Sequence, residues 1–165
     1  MRISVISLIL ALAIISVMAC KRENPKPPAE EKPKYSFRHD GFLEVRSSDG
    51  KYKTTIDIEI VEKETEILQG LKYRDKMDKN QGMLFIFEEV YYHDFWMQDT
   101  YMSLDMLFID QNDEIFQIVK NTTPFSEERI SPTKPNRYVL ELVAGAADYH
   151  GIEETDRVIW YRKKN

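Results

Sequence analysis

The amino-acid sequence predicts a single, mainly β domain, a compact sandwich or barrel with one or two short helices. Apolar and polar side chains alternate along several short segments, which is the period of a half-buried strand. Clusters of Ser, Asn, Asp and Gly separate these segments, as turns separate strands. Only two segments carry a helical pattern, and many short strands with few helices indicate a sandwich or a barrel.

Residues 1–19 precede this domain and have the pattern of a secretory signal peptide. Met-Arg is followed by an apolar run that is too short for a membrane-spanning helix. The run ends at Ala19-Cys20, and a small residue before the only cysteine resembles the lipobox of bacterial lipoproteins. The resemblance implies an exported protein, anchored to the membrane by lipid such as palmitate on Cys20; an ordinary signal peptide or an uncleaved anchor is the alternative. Lys21 after the cysteine favours the outer membrane and a domain that faces the periplasm.

Residues 20–34 connect the lipidated cysteine to the domain. They contain four of the seven prolines, many charges and no apolar side chain larger than that of Ala29 beyond Cys20 itself. Such a segment cannot bury enough apolar surface to offset the entropy lost on ordering, so we expect a solvated tether. In the polyproline II conformation, at about 3.1 Å per residue, it would reach roughly 40 Å. Residues 35–165 then form one domain with enough residues for a core.

Alternation and turn residues together predict the strands. Tyr52–Ile60 alternates apolar with polar residues, and Ser48-Asp49-Gly50 ahead of it favours a turn, so Phe42–Arg46 is predicted to pair back as a hairpin. Gln111-Asn112-Asp113 marks a second turn. The remaining predicted strands are Met83–Phe87, Asp94–Met97, Leu104–Ile109, Glu114–Val119, Tyr138–Val143 and Arg157–Arg162.

Two short helices and one long loop complete the prediction. Thr65 is a candidate cap for the first helix, and residues 144–150 have room for one or two helical turns. The apolar face of the first helix would contain Ile67, Leu68 and Leu71. Residues 121–137 contain three prolines and no regular period, and connections of this length are usually either functional or disordered.

Charge and cysteine content exclude several classes of protein. The chain has 23 Lys and Arg against 28 Asp and Glu, and Arg2 is the only charged residue before Cys20, so 22 positive and 28 negative side chains follow. A net acidic surface argues against a nucleic-acid partner, because phosphate backbones are bound by an excess of Lys and Arg. A single cysteine excludes an internal disulfide and a zinc site made of several thiolates. The three histidines, His39, His93 and His150, lack the spacing of metal ligands.

Two carboxylates interrupt predicted strands at apolar positions. Asp105 lies within Leu104–Ile109, and Glu141 lies within Tyr138–Val143. Burial of an unpaired carboxylate costs free energy or raises its pKa, so each group needs a partner or a wet cavity. If both point into one cleft, they could bind a cation, share a proton or act as acid and base. Otherwise they lie on solvent-facing pleats or pair structurally with Arg or backbone amides.

Aromatic side chains, several with polar atoms, are concentrated in residues 91–102. Such side chains suit a binding surface and also suit a core. In the predicted strand Asp94–Met97, Phe95 and Met97 share one face and are assigned to the core. Trp96 lies on the opposite face and is the candidate ligand-binding residue.

Several short blocks resemble, in order and spacing, a bacterial and archaeal family catalogued as domain of unknown function 192. The blocks are Gly70-Leu71, Gly82–Phe85, Phe95–Met97 with Thr100, Leu104-Asp105, Phe108–Asp110, Val139–Leu142, Gly145, Gly151-Ile152 and Asp156. The resemblance covers roughly residues 56–160 and implies a compact, mainly β domain of jelly-roll-like type, often exported, with no agreed activity. By position in the pattern, the candidate binding face consists of Trp96, Met97, Thr100, Asp105 and Glu141.

The chain departs from the family pattern at four positions. Lys72, Asp99, Ser103 and Thr155 stand where the family usually has Met, Asn, Pro and Gly. Asp99 adds a negative charge near the candidate binding face, so a ligand of the family could bind differently here.

Three functions are compatible with these observations. The first is a non-catalytic accessory domain that binds a small ligand or an envelope protein at the candidate binding face, which the absence of a catalytic motif supports. The second is a hydrolase that acts on envelope material through Asp105 and Glu141. The third is a purely structural envelope component. Carboxylates could hold a divalent metal, but no calcium-loop spacing is present, so no cofactor is expected.

Overall fold

The computed structural model describes residues 35–164, which contain seven strands and two short helices. In chain order these are β1 (Gly41–Arg46), β2 (Tyr52–Val61), α1 (Glu64–Gln69), β3 (Gln81–Tyr91), β4 (Leu104–Ile109), β5 (Ile115–Val119), β6 (Asn136–Val143), α2 (Ala146–Tyr149) and β7 (Arg157–Arg162). The predicted mainly β fold with short helices is confirmed. The predicted signal peptide, Cys20 and the tether lie outside the described residues. Within residues 35–164, no helix has the length and apolar character needed to cross a membrane.

All seven strands belong to one mixed sheet in the order β5-β4-β6-β3-β2-β1-β7. Neighbouring strands are antiparallel except β2 and β3, which pair in parallel, a detail that distinguishes the sheet from a purely antiparallel jelly roll. The two outermost strands approach each other at one end. Glu114 bridges Arg157, and the Ile115 N–H donates to the Asp156 carbonyl oxygen at 2.8 Å. The sheet therefore curls into a barrel.

Apolar side chains pack on both faces of the barrel wall. The inner face carries alternate residues of the strands, including Leu107 of β4 and Leu140 of β6. A second cluster lies on the outer face of β3, β4 and β6, and it includes Phe85, Met106 and Phe108. Connecting segments cover this outer cluster with the side chains of Leu71, Met97 and Met102. Because both faces of β4 are covered, all six of its residues are buried.

Gly82 allows β3 to pass close to β6 on the inner face of the barrel wall, where Leu140 and Leu142 lie. A Cβ atom at this position would lie 2.8 Å from Leu142 Cδ2 and 3.1 Å from the carbonyl oxygen of Glu141. These distances are shorter than ordinary carbon contacts, so a larger residue would push the two strands apart. The close approach fixes the position of Glu141 relative to the β3 side chains.

The prediction of a strand at Asp94–Met97 is wrong. This segment crosses the outer cluster as a loop and pairs at a single bridge, where Phe95 and Ile130 exchange backbone hydrogen bonds of 3.0 and 2.8 Å. The alternation of side chains is real, because Phe95 and Met97 both pack inward, but no neighbouring strand lies beside them. The remaining seven predicted strands and the turn at residues 111–113 are confirmed.

The predicted helix near Thr65 is confirmed as α1, but its cap is different. Lys63 occupies the cap position without a side-chain hydrogen bond, and Thr65 lies inside the first turn. Leu71 is buried and Ile67 packs against the outer cluster, whereas Leu68 is exposed. The second predicted helix is confirmed as α2.

Candidate functional site

A cavity of about 320 Å³ opens on the outer face of the barrel, between the end of α1, β3 and residues 92–100. Its volume falls at the lower end of the range for small-molecule sites. Most of its lining is aromatic or aliphatic, and we call it the aromatic cavity. The aromatic residues that line it are Phe85, Phe87, Tyr92, His93, Phe95 and Trp96.

Ring contacts hold the walls of the aromatic cavity in place. The Phe95 ring stands edge-on to Phe85 and Phe87, with centroid distances of 5.0 and 6.2 Å. The His93 ring stacks on Phe87 at 3.7 Å, and His93 Nε2 lies 3.0 Å from the carbonyl oxygen of Glu89. Trp96 is 48% exposed, so part of its ring is available to a molecule that enters the cavity.

Glu141 lines the aromatic cavity from β6. Glu141 is only 4% exposed and lies between Met83 of β3 and Met106 of β4 in the sheet. Among residues 35–164, no group donates a hydrogen bond to its carboxyl. Burial raises the pKa of Glu141 from 4.5 to about 8, and the positive charge of Arg74 opposes this shift. The carboxyl is therefore largely protonated at neutral pH.

Arg74 acts on Glu141 through space, because its guanidinium is engaged elsewhere. It forms a bidentate ion pair with Glu59, in which Arg74 Nη2 donates to Glu59 Oε2 at 2.9 Å and Arg74 Nη1 donates to Glu59 Oε1. The side chains of Arg74 and Glu59 are 13% and 2% exposed. The Tyr35 ring lies 5.5 Å from the guanidinium carbon and covers part of the pair. The charge of Arg74 is therefore largely balanced before any ligand enters.

Three of the five residues predicted for the candidate binding face meet at the aromatic cavity. Trp96, Thr100 and Glu141 all line it. Met97 does not, because its side chain is fully buried in the outer cluster, where the Thr122 hydroxyl lies 3.2 Å from its sulfur. Met97 therefore supports the wall behind the cavity.

Asp105 lies away from the aromatic cavity, on the inner face of the barrel wall. It precedes Met106, the residue opposite Glu141, and successive strand residues point to opposite faces. Asp105 Oδ1 accepts from the Asn121 N–H at 3.0 Å, and Oδ2 accepts from the Ala147 N–H at 3.1 Å. Asp105 thus joins the segment after β5 to α2. The two carboxylates share no cleft, and this geometry removes the basis for a hydrolase that uses both.

Sequence reasoning missed the walls that β3 and α1 supply. Phe85 and Phe87 lie at alternate positions of the predicted third strand, so their common face was visible in the sequence. What the sequence does not reveal is that β3 lies next to β6, which places this face beside Glu141. Within residues 35–164, no three His, Cys, Asp or Glu side chains are grouped so that they could hold a metal ion.

Solved crystal structures are similar to this chain. The structure of a candidate transcription regulator from Sinorhizobium meliloti 1021 has 34% sequence identity and a TM-score of 0.71, over 78% of this chain and 98% of that one. A protein of unknown function from Novosphingobium aromaticivorans DSM 12444 has 27% identity and a TM-score of 0.68, over 72% of this chain and 84% of that one. No curated protein matches. The family model described as Uncharacterized ACR, domain of unknown function 192, matches residues 44–160, and the chain belongs to this family.

Proposed function

We propose that this domain is a non-catalytic accessory domain that binds a small molecule in the aromatic cavity. The observation that carries the proposal is a nearly buried carboxyl, that of Glu141, which faces a cavity of about 320 Å³ without a hydrogen-bond partner among the described residues. A buried polar group without a partner costs free energy, and a ligand that supplies the partner recovers it. The apolar part of the same ligand would displace water from the aromatic walls.

We also propose that the domain works at the cell envelope, anchored by lipid on Cys20 and facing the periplasm. The apolar run of residues 1–19, the single cysteine and the proline-rich residues 21–34 support this location. Labelling of the full chain in cells with a palmitate analogue tests it. We expect the wild-type protein to carry the label and to appear in the outer-membrane fraction. The Cys20→Ser variant should lose both the label and this location. Label that persists in Cys20→Ser would contradict the anchor.

A nucleic-acid partner is not part of the proposal. The Sinorhizobium structure is described as that of a candidate transcription regulator, but this chain has 28 acidic against 23 basic residues. Binding to phosphate backbones requires an excess of basic side chains.

Chemical-shift mapping tests the binding proposal. The isotope-labelled full chain with Cys20→Ser is titrated with phenethylamine, phenethyl alcohol and phenylacetate, which share a ring and differ in charge. We expect saturable shifts from at least one probe, centred on residues 67–72 and 92–100, which line the cavity. The exposed pair Phe42 and Tyr161, on β1 and β7, is the internal control. Shifts centred on that pair, or no saturable shift with any probe, would contradict the proposal.

A further inference from the structure

We infer that the aromatic cavity binds an organic cation, a small amine whose protonated nitrogen donates hydrogen bonds to Glu141. The inference rests on the proposed function and names the chemical class of the ligand.

The hydrogen-bonding capacity of Glu141 points to a donor. An ionised carboxylate accepts several hydrogen bonds, and no group among residues 35–164 supplies one to Glu141. The cation that acts on it, Arg74, is already paired with Glu59. An ammonium group would supply both the missing donors and an opposite charge, and such charge-assisted hydrogen bonds are stronger than neutral ones, more so away from water. An anionic ligand would instead oppose ionisation of the carboxyl, because the ionised form would carry a like charge.

The walls of the aromatic cavity favour the same class of ligand. Aromatic faces carry a negative potential and attract organic cations, with Trp the most effective. Trp96 and Tyr92 are each about half exposed, and both line the cavity. The volume of about 320 Å³ accommodates roughly ten non-hydrogen atoms, at about 30 Å³ for each water-sized group. A single aromatic ring with a short aminoalkyl chain has this size.

Charged side chains of both signs line the cavity, and of its carboxylates Asp94 is already paired with Arg129. Besides Glu141, the titratable residues that line it are Lys72, Tyr92, His93 and Asp94. The charged side chain that acts on the Glu141 carboxyl is Arg74 and not Lys72. From Cys20 onward the chain carries 22 basic and 28 acidic side chains, a balance that attracts small cations.

Three matched probes test the inference by affinity. Fluorescence of Trp96 is followed in the full chain with Cys20→Ser and Trp160→Phe, because Trp160 is the second of the two tryptophans. We expect phenethylamine to bind at least about tenfold more tightly than phenethyl alcohol, and phenylacetate to bind most weakly. Glu141→Gln should weaken the amine about tenfold and change the alcohol by less than about twofold. Glu88→Gln, the matched control at an exposed carboxylate of β3 outside the cavity lining, should change the amine affinity by less than about twofold.

A pH titration of the unsubstituted site provides a second measurement that does not depend on a variant. The amine complex requires the ionised carboxyl, so binding below about pH 8 releases one proton from Glu141 to solvent. We expect the amine affinity to rise about tenfold per pH unit up to about pH 8 and then to level off, with no such rise for the alcohol. A flat profile for the amine would overturn the inference.

The outcomes separate the ligand class from the proposed function. If the alcohol or the acid binds as tightly as the amine, the cavity is a binding site and the inferred class is wrong. If Glu141→Gln leaves the amine affinity unchanged, or Glu88→Gln reduces it equally, Glu141 is not the partner of the cation. If none of the three probes binds, the proposed function itself fails.

Discussion

Replacing Glu141 with Gln should make the stability of the domain less dependent on pH. The pKa of Glu141 is about 8 in the folded protein, against the ordinary glutamate value of 4.5 that applies to the unfolded chain. In the unfolded chain the carboxyl therefore loses its proton first, and stability falls as the pH rises between these two values. The stabilising contribution of the protonated carboxyl is complete below about pH 4.5 and is lost as the pH rises through about 8.

The size of this effect follows from the pKa shift of Glu141. A shift of one pKa unit corresponds to about 1.4 kcal/mol, so the change from 4.5 to about 8 is worth at most about 5 kcal/mol. Between about pH 5 and about pH 8, the wild-type protein should lose about 3 kcal/mol that Glu141→Gln keeps. For a domain of this length, this loss lowers Tm by about 10 °C.

Thermal and urea unfolding of the full chain, followed by circular dichroism at both pH values, measures the difference. Glu88→Gln is the matched control, because Glu88 is an exposed residue of β3. We expect this control to follow the wild-type pH profile and Glu141→Gln to lie above it at about pH 8. Parallel profiles for wild type and Glu141→Gln would refute the account of a desolvated carboxyl, because an ionised and solvated Glu141 would contribute no slope in this range.

Three further substitutions test the structural roles assigned above. Asp105→Ala should lower the free energy of unfolding by about 2–4 kcal/mol, because the Asn121 and Ala147 N–H groups lose their acceptor. The affinity of this variant for phenethylamine, measured by fluorescence, should stay within about twofold of the wild-type value. Glu59→Gln should cost about 3–5 kcal/mol in urea unfolding, because it leaves the charge of the nearly buried Arg74 unpaired, and a cost below about 1 kcal/mol would contradict a buried pair. Thr155→Gly should raise the free energy of unfolding by about 1 kcal/mol. Thr155 adopts φ = 77°, where a β-branched residue is strained and glycine is not. A loss of stability in this variant would show that Thr155 is not strained.

Most strands were predictable because their signals are local. Tyr52–Ile60 shows its buried face by alternation, and Ser48-Asp49-Gly50 marks the turn before it. The strand β4 was predicted from a short apolar run, and the structure buries both of its faces. Asp94–Met97 has the same local alternation but no neighbouring strand, so the pattern alone could not separate a strand from a loop that packs on a cluster.

The candidate site was predictable only in part, because it depends on which strands are neighbours. The apolar neighbours of Asp105 and Glu141 in the sequence left both burial and a solvent-facing position open, and the structure buries both residues. Their opposite orientations follow from the pairing of Met106 with Glu141, which is a long-range contact that no local pattern encodes. For the same reason the sequence did not show that Phe85 of β3 would face the cavity beside β6. Local periodicity assigns a side chain to one face of a strand, and the pairing of distant strands decides which residues that face contacts.

The most direct test of the account is an NMR titration of the Glu141 carboxyl carbon in the full chain with Cys20→Ser, with and without phenethylamine. Its resonance is assigned by comparison with Glu141→Gln. We expect a pKa of about 8 for Glu141 in the free protein and a lower pKa when the amine is bound, because the ammonium stabilises the ionised form. A pKa near the ordinary value of 4.5 that does not change when the amine is added would contradict the central claim that Glu141 is a desolvated carboxyl that binds a cationic ligand.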